Sequence, residues 1–252
     1  MTTEYATEIK IYHIEGRRSE RVIWLLEELN MPYELIYKRG ELLGSMMLIK
    51  EVNPLMPVAP TVVIDGQVLV ESAAIIQIIL DRFAPNSSLR PEIQSKAYPA
   101  YMQWLHFAES AMAFRAFSDY KLWRVKTPSE RSMMVDTEAS MEFVEDFLSK
   151  HAYFGGDEFS AADIMMLLPL NAATDLNVVD GSHFPLIAAW KEKVKSRDAF
   201  KAMIEKALPD GMIGALPKLK THAPSGPRGK FHKGTMKMKA LSFLMSKKKK
   251  QK

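Results

Sequence analysis

Two folding units are predicted: a small mixed α/β domain over residues 1–84 and an all-α domain over residues 91–210, with a basic tail at 217–252. Three observations carry this division. Short β-branched runs alternate with amphipathic helical stretches as far as Phe83. Strand signals then fade and helical periodicity takes over. Finally, every charged residue after Asp210 is basic. A chain of 252 residues can bury two cores. Its 47% hydrophobic and 25% charged content, with a mean hydropathy of −0.13, is that of an ordinary globular protein.

The segment IKIYHI alternates apolar and polar side chains up to the turn Glu15-Gly16, as a strand does. From Arg17, Val22, Leu25, Leu26 and Leu29 recur at helical spacing, and Asn30-Met31-Pro32 stops the helix. YELIY (33–37) reads as a second strand, which a right-handed crossover makes parallel to the first. A short helix over 41–50 leads into a loop punctuated by Pro54, Pro57 and Pro60. TVVI, the turn Asp65-Gly66 and QVLV then form a hairpin, and ESAAIIQIILDRF closes the unit as a helix. The predicted order is β-α-β-α-β-β-α, a parallel pair joined to an antiparallel hairpin. In the second domain helices are expected over 98–120, 128–149, 160–175 and 184–196. Ser160 and Asp163 have capping-box spacing, with Phe159 and Ile164 as the hydrophobic staple.

Composition excludes several chemistries. The chain has no cysteine, hence no disulfide, thiolate metal site or cysteine nucleophile. No metal-ligand spacing, phosphate loop or Ser-His-Asp arrangement is present, so no metal is expected. No apolar stretch is long enough to span a bilayer, and the N-terminus lacks the layout of a secretory signal, so a cytoplasmic location is expected. Twelve of the 34 Lys and Arg residues lie at or beyond Lys218, leaving 22 basic against 30 acidic residues before it, a net −8. The folded body is acidic, and the basic pI gives it no claim to nucleic acid.

Four features in order give the chain a family resemblance: YHIEGRRSERVIWLLEEL, the proline loop ending Val58-Ala59-Pro60, Glu71-Ser72 opening a helix, and the Ser160–Asp163 capping box with Phe159. Residues 9–208 resemble the cytosolic glutathione S-transferases, and WLHFAE at 104–109 resembles bacterial members related to the yeast-type enzymes. The resemblance implies a thioredoxin-like N-terminal domain that binds glutathione, an all-α domain that holds a hydrophobic electrophile, and a homodimer. It implies a transferase that presents the glutathione thiolate to an electrophile, with detoxification or aromatic-compound metabolism as the setting. The same site suits a glutathione-dependent lyase or reductase, and the same fold a non-catalytic binding protein.

The implied residue roles have physical reasons. With Ala59-Pro60 in the cis form, the Ala59 main chain can pair with the cysteinyl amide as an added strand would. Ser72 and the free amides at the start of its helix suit the γ-glutamyl carboxylate, and Glu71 suits its amino group. A thiol near pKa 8.5 needs about 2.7 kcal/mol of differential stabilisation to titrate two units lower. Arg17 stands where many bacterial relatives carry the activating serine. Tyr12 at the strand end is therefore the expected hydrogen-bond donor, with Ser19 second and Arg17 as electrostatic support. Tyr101, Trp104, Phe107, Arg115 and Trp123 make the start of the helical domain aromatic, as a planar hydrophobic electrophile requires.

The tail matches nothing in the family. Its Gly/Pro/Ser opening reads as a linker, and residues 236–250 mix Met, Leu and Phe with lysine as an amphipathic surface helix does. It is expected to make weak contact with an anionic surface, to fold back on the acidic body, or to act as a solubilising extension. RNA association through the tail would show as affinity that falls steeply with salt.

Overall fold

The structure, a computed structural model, describes residues 8–132, 134–212, 214–222 and 224–225. The N-terminal domain runs β1 (Ile9–Tyr12), α1 (Ser19–Glu28), β2 (Glu34–Ile36), α2 (Leu42–Val52), β3 (Thr61–Ile64), β4 (Gln67–Leu69) and α3 (Ser72–Phe83). The sheet order is β2-β1-β3-β4, with β1 parallel to β2 and antiparallel to β3. This is the predicted mixed sheet, and its hairpin turns at Asp65 and Gly66, both at positive φ as a type I′ turn requires. Period-two alternation in β1 buries Ile9 and Ile11 in the cluster formed with Val22, Leu25 and Leu26 of α1 and Ile75, Ile76 and Ile79 of α3. Lys10 and Tyr12 take the opposite face.

The helical domain comprises α4 (Tyr98–Phe107), α5 (Phe114–Val125), α6 (Thr137–Leu148), α7 (Ala161–Asp175), α8 (Pro185–Lys195) and α9 (Asp198–Ala207). Four of these details differ from expectation. The first long helix is interrupted by a π-helical turn, Ala108–Ala113, and runs on to Val125. The helix expected from 128 starts at Thr137, where Asp136 caps it by accepting the Ala139 N–H at 2.8 Å. Helix α9 was not anticipated. Its apolar positions pack against α1, where Phe200 meets the Trp24 ring edge-on at 4.9 Å. The opening of the tail, read as a linker, packs on the body instead: Leu219 joins the buried cluster, and its N–H donates to the Leu176 carbonyl at 2.9 Å. The amphipathic segment at 236–250 lies outside the described residues.

Helix α1 belongs to both domains. Its outer face carries Trp24, whose ring packs on Phe159 of the capping-box staple at 5.6 Å and donates through Nε1 to Glu28 at 2.9 Å. Glu28 in turn receives both prongs of the Arg197 fork at 2.7 Å. One continuous apolar cluster therefore spans the sheet, α1 and the helices beyond it.

Candidate active site

Three chain segments come together at the C-terminal end of β1: the β1–α1 turn, the loop ahead of β3, which enters beside it through the Tyr12–Thr61 pair, and the start of α3, joined to α1 through Arg21 and Ser72. The Ala59-Pro60 peptide is cis. Ala59 is half-buried, and among the described residues its N–H and C=O meet no partner, whereas the neighbouring Val58 C=O accepts the Thr61 hydroxyl at 2.7 Å. Glu71 holds φ at +73°, a sparsely populated value for a residue with a Cβ, and is exposed at the head of α3. Ser72 is buried. The structure thus sets Ala59 and Pro60 just ahead of the strand that pairs with β1, and Glu71 and Ser72 at the α3 start that Arg21 ties to α1.

Behind Ser72 stands a group the sequence reading missed. Arg21 of α1, 2% exposed, donates through Nη1 to the Ser72 hydroxyl oxygen at 3.1 Å and to the Glu109 carboxylate, and through Nη2 to the Met165 carbonyl at 2.8 Å. That carbonyl is available because Pro169, four residues on in α7, has no N–H to give it. Arg18 binds both oxygens of Glu109 at 3.0 and 2.9 Å. Burial alone would push the Glu109 carboxyl up, but Arg21 and Arg18 together hold it below the usual range, so it stays charged. Burial pulls the Arg21 guanidinium below its ordinary value, and Glu109 opposes that shift. Because Arg21 occupies a lone pair of Ser72, the Ser72 proton is left to point at an incoming acceptor. The π-helical turn places Glu109 for this role.

The thiol-activating candidates are placed differently from expectation. Tyr12, the last residue of β1, lies on the sheet face turned away from α1, and among the described residues its phenol makes no hydrogen bond. Ser19 is fully buried and committed to His13, at 2.8 Å from Nδ1. The other ring nitrogen of His13 donates to the Ala207 carbonyl at 2.7 Å, so Nδ1 is the acceptor and Ser19 the donor. Burial pushes the His13 pKa down to about 4, against the backbone bond, and keeps the ring neutral. These two residues tie β1 to α9. What remains is the turn itself: among the described residues the amides of Arg17 and Arg18 find no acceptor, and Arg17 donates to the Gly16 carbonyl at 3.1 Å.

Glu20 closes the turn by accepting the Gly16 N–H at 2.7 Å. Burial pushes its carboxyl up to about 7, with Gly16, Arg17 and Arg21 opposing. The folded state therefore favours the protonated form. Its contribution is complete below the ordinary value of 4.5 and is lost as pH rises through about 7. Glu20→Gln keeps the acceptor oxygen without the charge. Relative to the parent, it is expected to gain on the order of 3 kcal/mol between pH 4.5 and 8, read from urea midpoints at the two values. Equal differences at both pH values would contradict this.

The aromatic residues expected to hold an electrophile are mostly core. Trp104 is fully buried among Phe107, Phe143, Phe147 and Phe154, with ring centroids 4.8 to 5.1 Å away. Tyr101 is fully buried beside Tyr98, and Phe107 lies on the seam with α6. Arg115 donates to the Val135 carbonyl at 3.1 Å and so ties down the α5–α6 connection, while Trp123 packs on the helical core. Their helical spacing reflects packing. The aromatic ring that does approach the turn is Phe117, 5.7 Å beneath the Arg18 guanidinium. Among the described residues no cluster of metal-ligand type occurs, and no helix is long and apolar enough to cross a membrane.

Two family models match in the order the fold requires. Residues 17–82 match "Glutathione S-transferase, N-terminal domain", and residues 116–198 match "Glutathione S-transferase, C-terminal domain". Glutathione S-transferase 3 of Schizosaccharomyces pombe is 28% identical over 216 residues, covering 79% of this chain and 87% of the relative. Glutathione S-transferase 1 of Saccharomyces cerevisiae is 25% identical over 223 residues, covering 79% and 95%. A glutathione S-transferase structure from Actinobacillus pleuropneumoniae superimposes with a TM-score of 0.68 at 27% identity, covering 82% of this chain and 94% of that one. The fold is also that of a Phanerochaete chrysosporium glutathione transferase solved in complex with oxidized glutathione, with a TM-score of 0.61 at 20% identity, covering 83% and 99%. With sheet, cis-proline loop and helical domain in this arrangement and both halves matched, the chain belongs to the cytosolic glutathione S-transferase superfamily.

Proposed function

We propose that this glutathione S-transferase lays glutathione along the Ala59 main chain, its γ-glutamyl carboxylate on Ser72 and the first amides of α3, and its amino group on Glu71. The observation that carries the reading is Ser72, buried at the head of α3 with Arg21 behind it, while the Ala59 main chain, ahead of the strand that pairs with β1, is unpaired among the described residues. A carboxylate there gains the helix terminus, the Ser72 proton and a nearby guanidinium at once. The oxidized glutathione bound by the Phanerochaete chrysosporium relative supports the choice of tripeptide. Retention on immobilised glutathione, lost in Ser72→Ala, tests it.

Thiol activation is assigned to the β1–α1 turn. The sulfur sits against the unpaired amides of Arg17 and Arg18 at the positive end of α1, and the Arg17 guanidinium adds a full charge. The thiol loses its proton to solvent, and the thiolate attacks a hydrophobic electrophile by substitution or addition. Arg17→Gln is expected to raise the pKa of the bound thiol by about one unit, or about 1.4 kcal/mol, read from the ultraviolet thiolate absorbance. Tyr12→Phe is expected to leave it unchanged. The opposite pattern would return the role to Tyr12. A homodimer and a cytoplasmic location complete the reading, in keeping with the family.

A further inference from the structure

The described part of the chain beyond α9 returns to the β1–α1 turn. Asp210 is gripped by both prongs of Arg39, at 2.5 and 2.7 Å, at the β2–α2 connection. Met212 then lies directly on Gly16: a Cβ built there would stand 2.2 Å from Met212 Cγ. Gly16 is at φ +73°, so the turn needs glycine both for its backbone and for this contact. The Gly214 carbonyl accepts Arg17 Nη2 at 3.4 Å. On the far side the Tyr120 hydroxyl of α5 donates to the Pro217 carbonyl at 2.7 Å, and the Asn177 amide donates to the Leu219 carbonyl at 2.9 Å. The segment is thus fixed at both ends, on the N-terminal domain and on the helical domain.

We infer that Met212 is a specificity-determining residue, forming the wall of the electrophile site that faces the sulfur. The inference rests on the proposed placement of the thiol at the β1–α1 turn. Phe117 lies under Arg18 and the returning segment bonds Arg17, so the two flank the turn that would carry the sulfur, and Met212 is the apolar side chain of the segment lying on it. It is 52% exposed, so it is not held in place as a core residue. Its unbranched thioether is polarizable and adapts to flat or linear apolar groups, while its length limits how large a group the sulfur can carry. The aromatic signal in α4 concealed this, because those rings are core and the wall comes from a region read as a connection to the tail.

The test uses the full chain and needs no turnover. Affinities of S-methyl-, S-benzyl- and S-(9-anthracenylmethyl)glutathione are measured by calorimetry for the parent, Met212→Ala and Met212→Leu. Met212→Ala is expected to tighten the anthracenylmethyl thioether at least tenfold while S-methylglutathione stays within threefold, and Met212→Leu is expected to resemble the parent. Equal changes for all three ligands, or none, overturn the role of Met212 while leaving the glutathione site intact. Failure of the parent to bind any of the three overturns the glutathione reading and this inference with it. The chain has no cysteine, so Met212→Cys gives a single thiol for maleimide. S-benzylglutathione is expected to change its labelling rate at least threefold and S-methylglutathione to leave it unaltered, and an identical response to both counts against the wall.

Discussion

Asp163→Ala is expected to be the most destabilising single substitution in the helical domain, by at least about 4 kcal/mol. The carboxylate is fully buried, and its two oxygens divide four donors. Oδ1 accepts the Phe154 N–H at 3.0 Å and Trp190 Nε1–H at 2.9 Å, while Oδ2 accepts the Ser160 N–H at 2.9 Å and the Ser160 hydroxyl at 3.0 Å. Removing the acceptor strands four donors in the core, each costing about 1–3 kcal/mol. Burial has already pushed this carboxyl up to about 6, against which all four bonds act, so their loss outweighs the relief of desolvation. Asp163→Asn should rescue little: whichever way the amide is turned, its NH₂ meets two donors. Ser160→Ala, which keeps three of the four donors paired, is expected to cost only about 1 kcal/mol. Urea midpoints with unchanged slopes measure all three. A loss under 1 kcal/mol for Asp163→Ala would refute this account.

The same box illustrates what the sequence makes legible. Its members lie within four residues, and local hydrogen bonding needs no knowledge of the rest of the chain. The order of strands and helices, the Asp65-Gly66 turn and the Glu71-Ser72 helix start are local in the same sense. Arg21 is the opposite case: its partners Ser72, Glu109 and Met165 are scattered through the chain, and only the folded α1 brings them together. Two signals were nevertheless visible. A charged residue sits on the apolar stripe with Trp24 and Leu25, and Pro169 interrupts a helix it does not end, leaving a carbonyl in want of a donor. Tyr12 and Trp104 show the limits of local signals. Tyrosine at a strand end and tryptophan at helical spacing suit a site, but register turns one away from α1 and packing buries the other. Ser19 fails for a third reason: its hydroxyl already has a partner in His13.

Arg21→Met is expected to weaken glutathione binding at least tenfold and to lower stability by about 3–5 kcal/mol. The stability loss follows from breaking a buried pair on one side only: Glu109 stays charged through Arg18, but the Met165 carbonyl and the Ser72 hydroxyl lose their donor. The binding loss follows from Ser72, whose hydroxyl Arg21 orients toward an incoming acceptor and backs with a positive charge. These two effects separate in a double-mutant cycle. Adding Glu109→Gln removes the carboxylate that has lost one of its two cations and should restore part of the stability, yet it supplies no donor to Ser72, so glutathione affinity should stay low. Arg21→Lys, a cation without the fork, should retain the charge and still bind glutathione poorly, because one ammonium cannot reach Ser72, Glu109 and Met165 together. If affinity recovers along with stability in the double variant, Arg21 acts on the ligand only through the integrity of the fold. If it does not, the guanidinium orients the anion site directly.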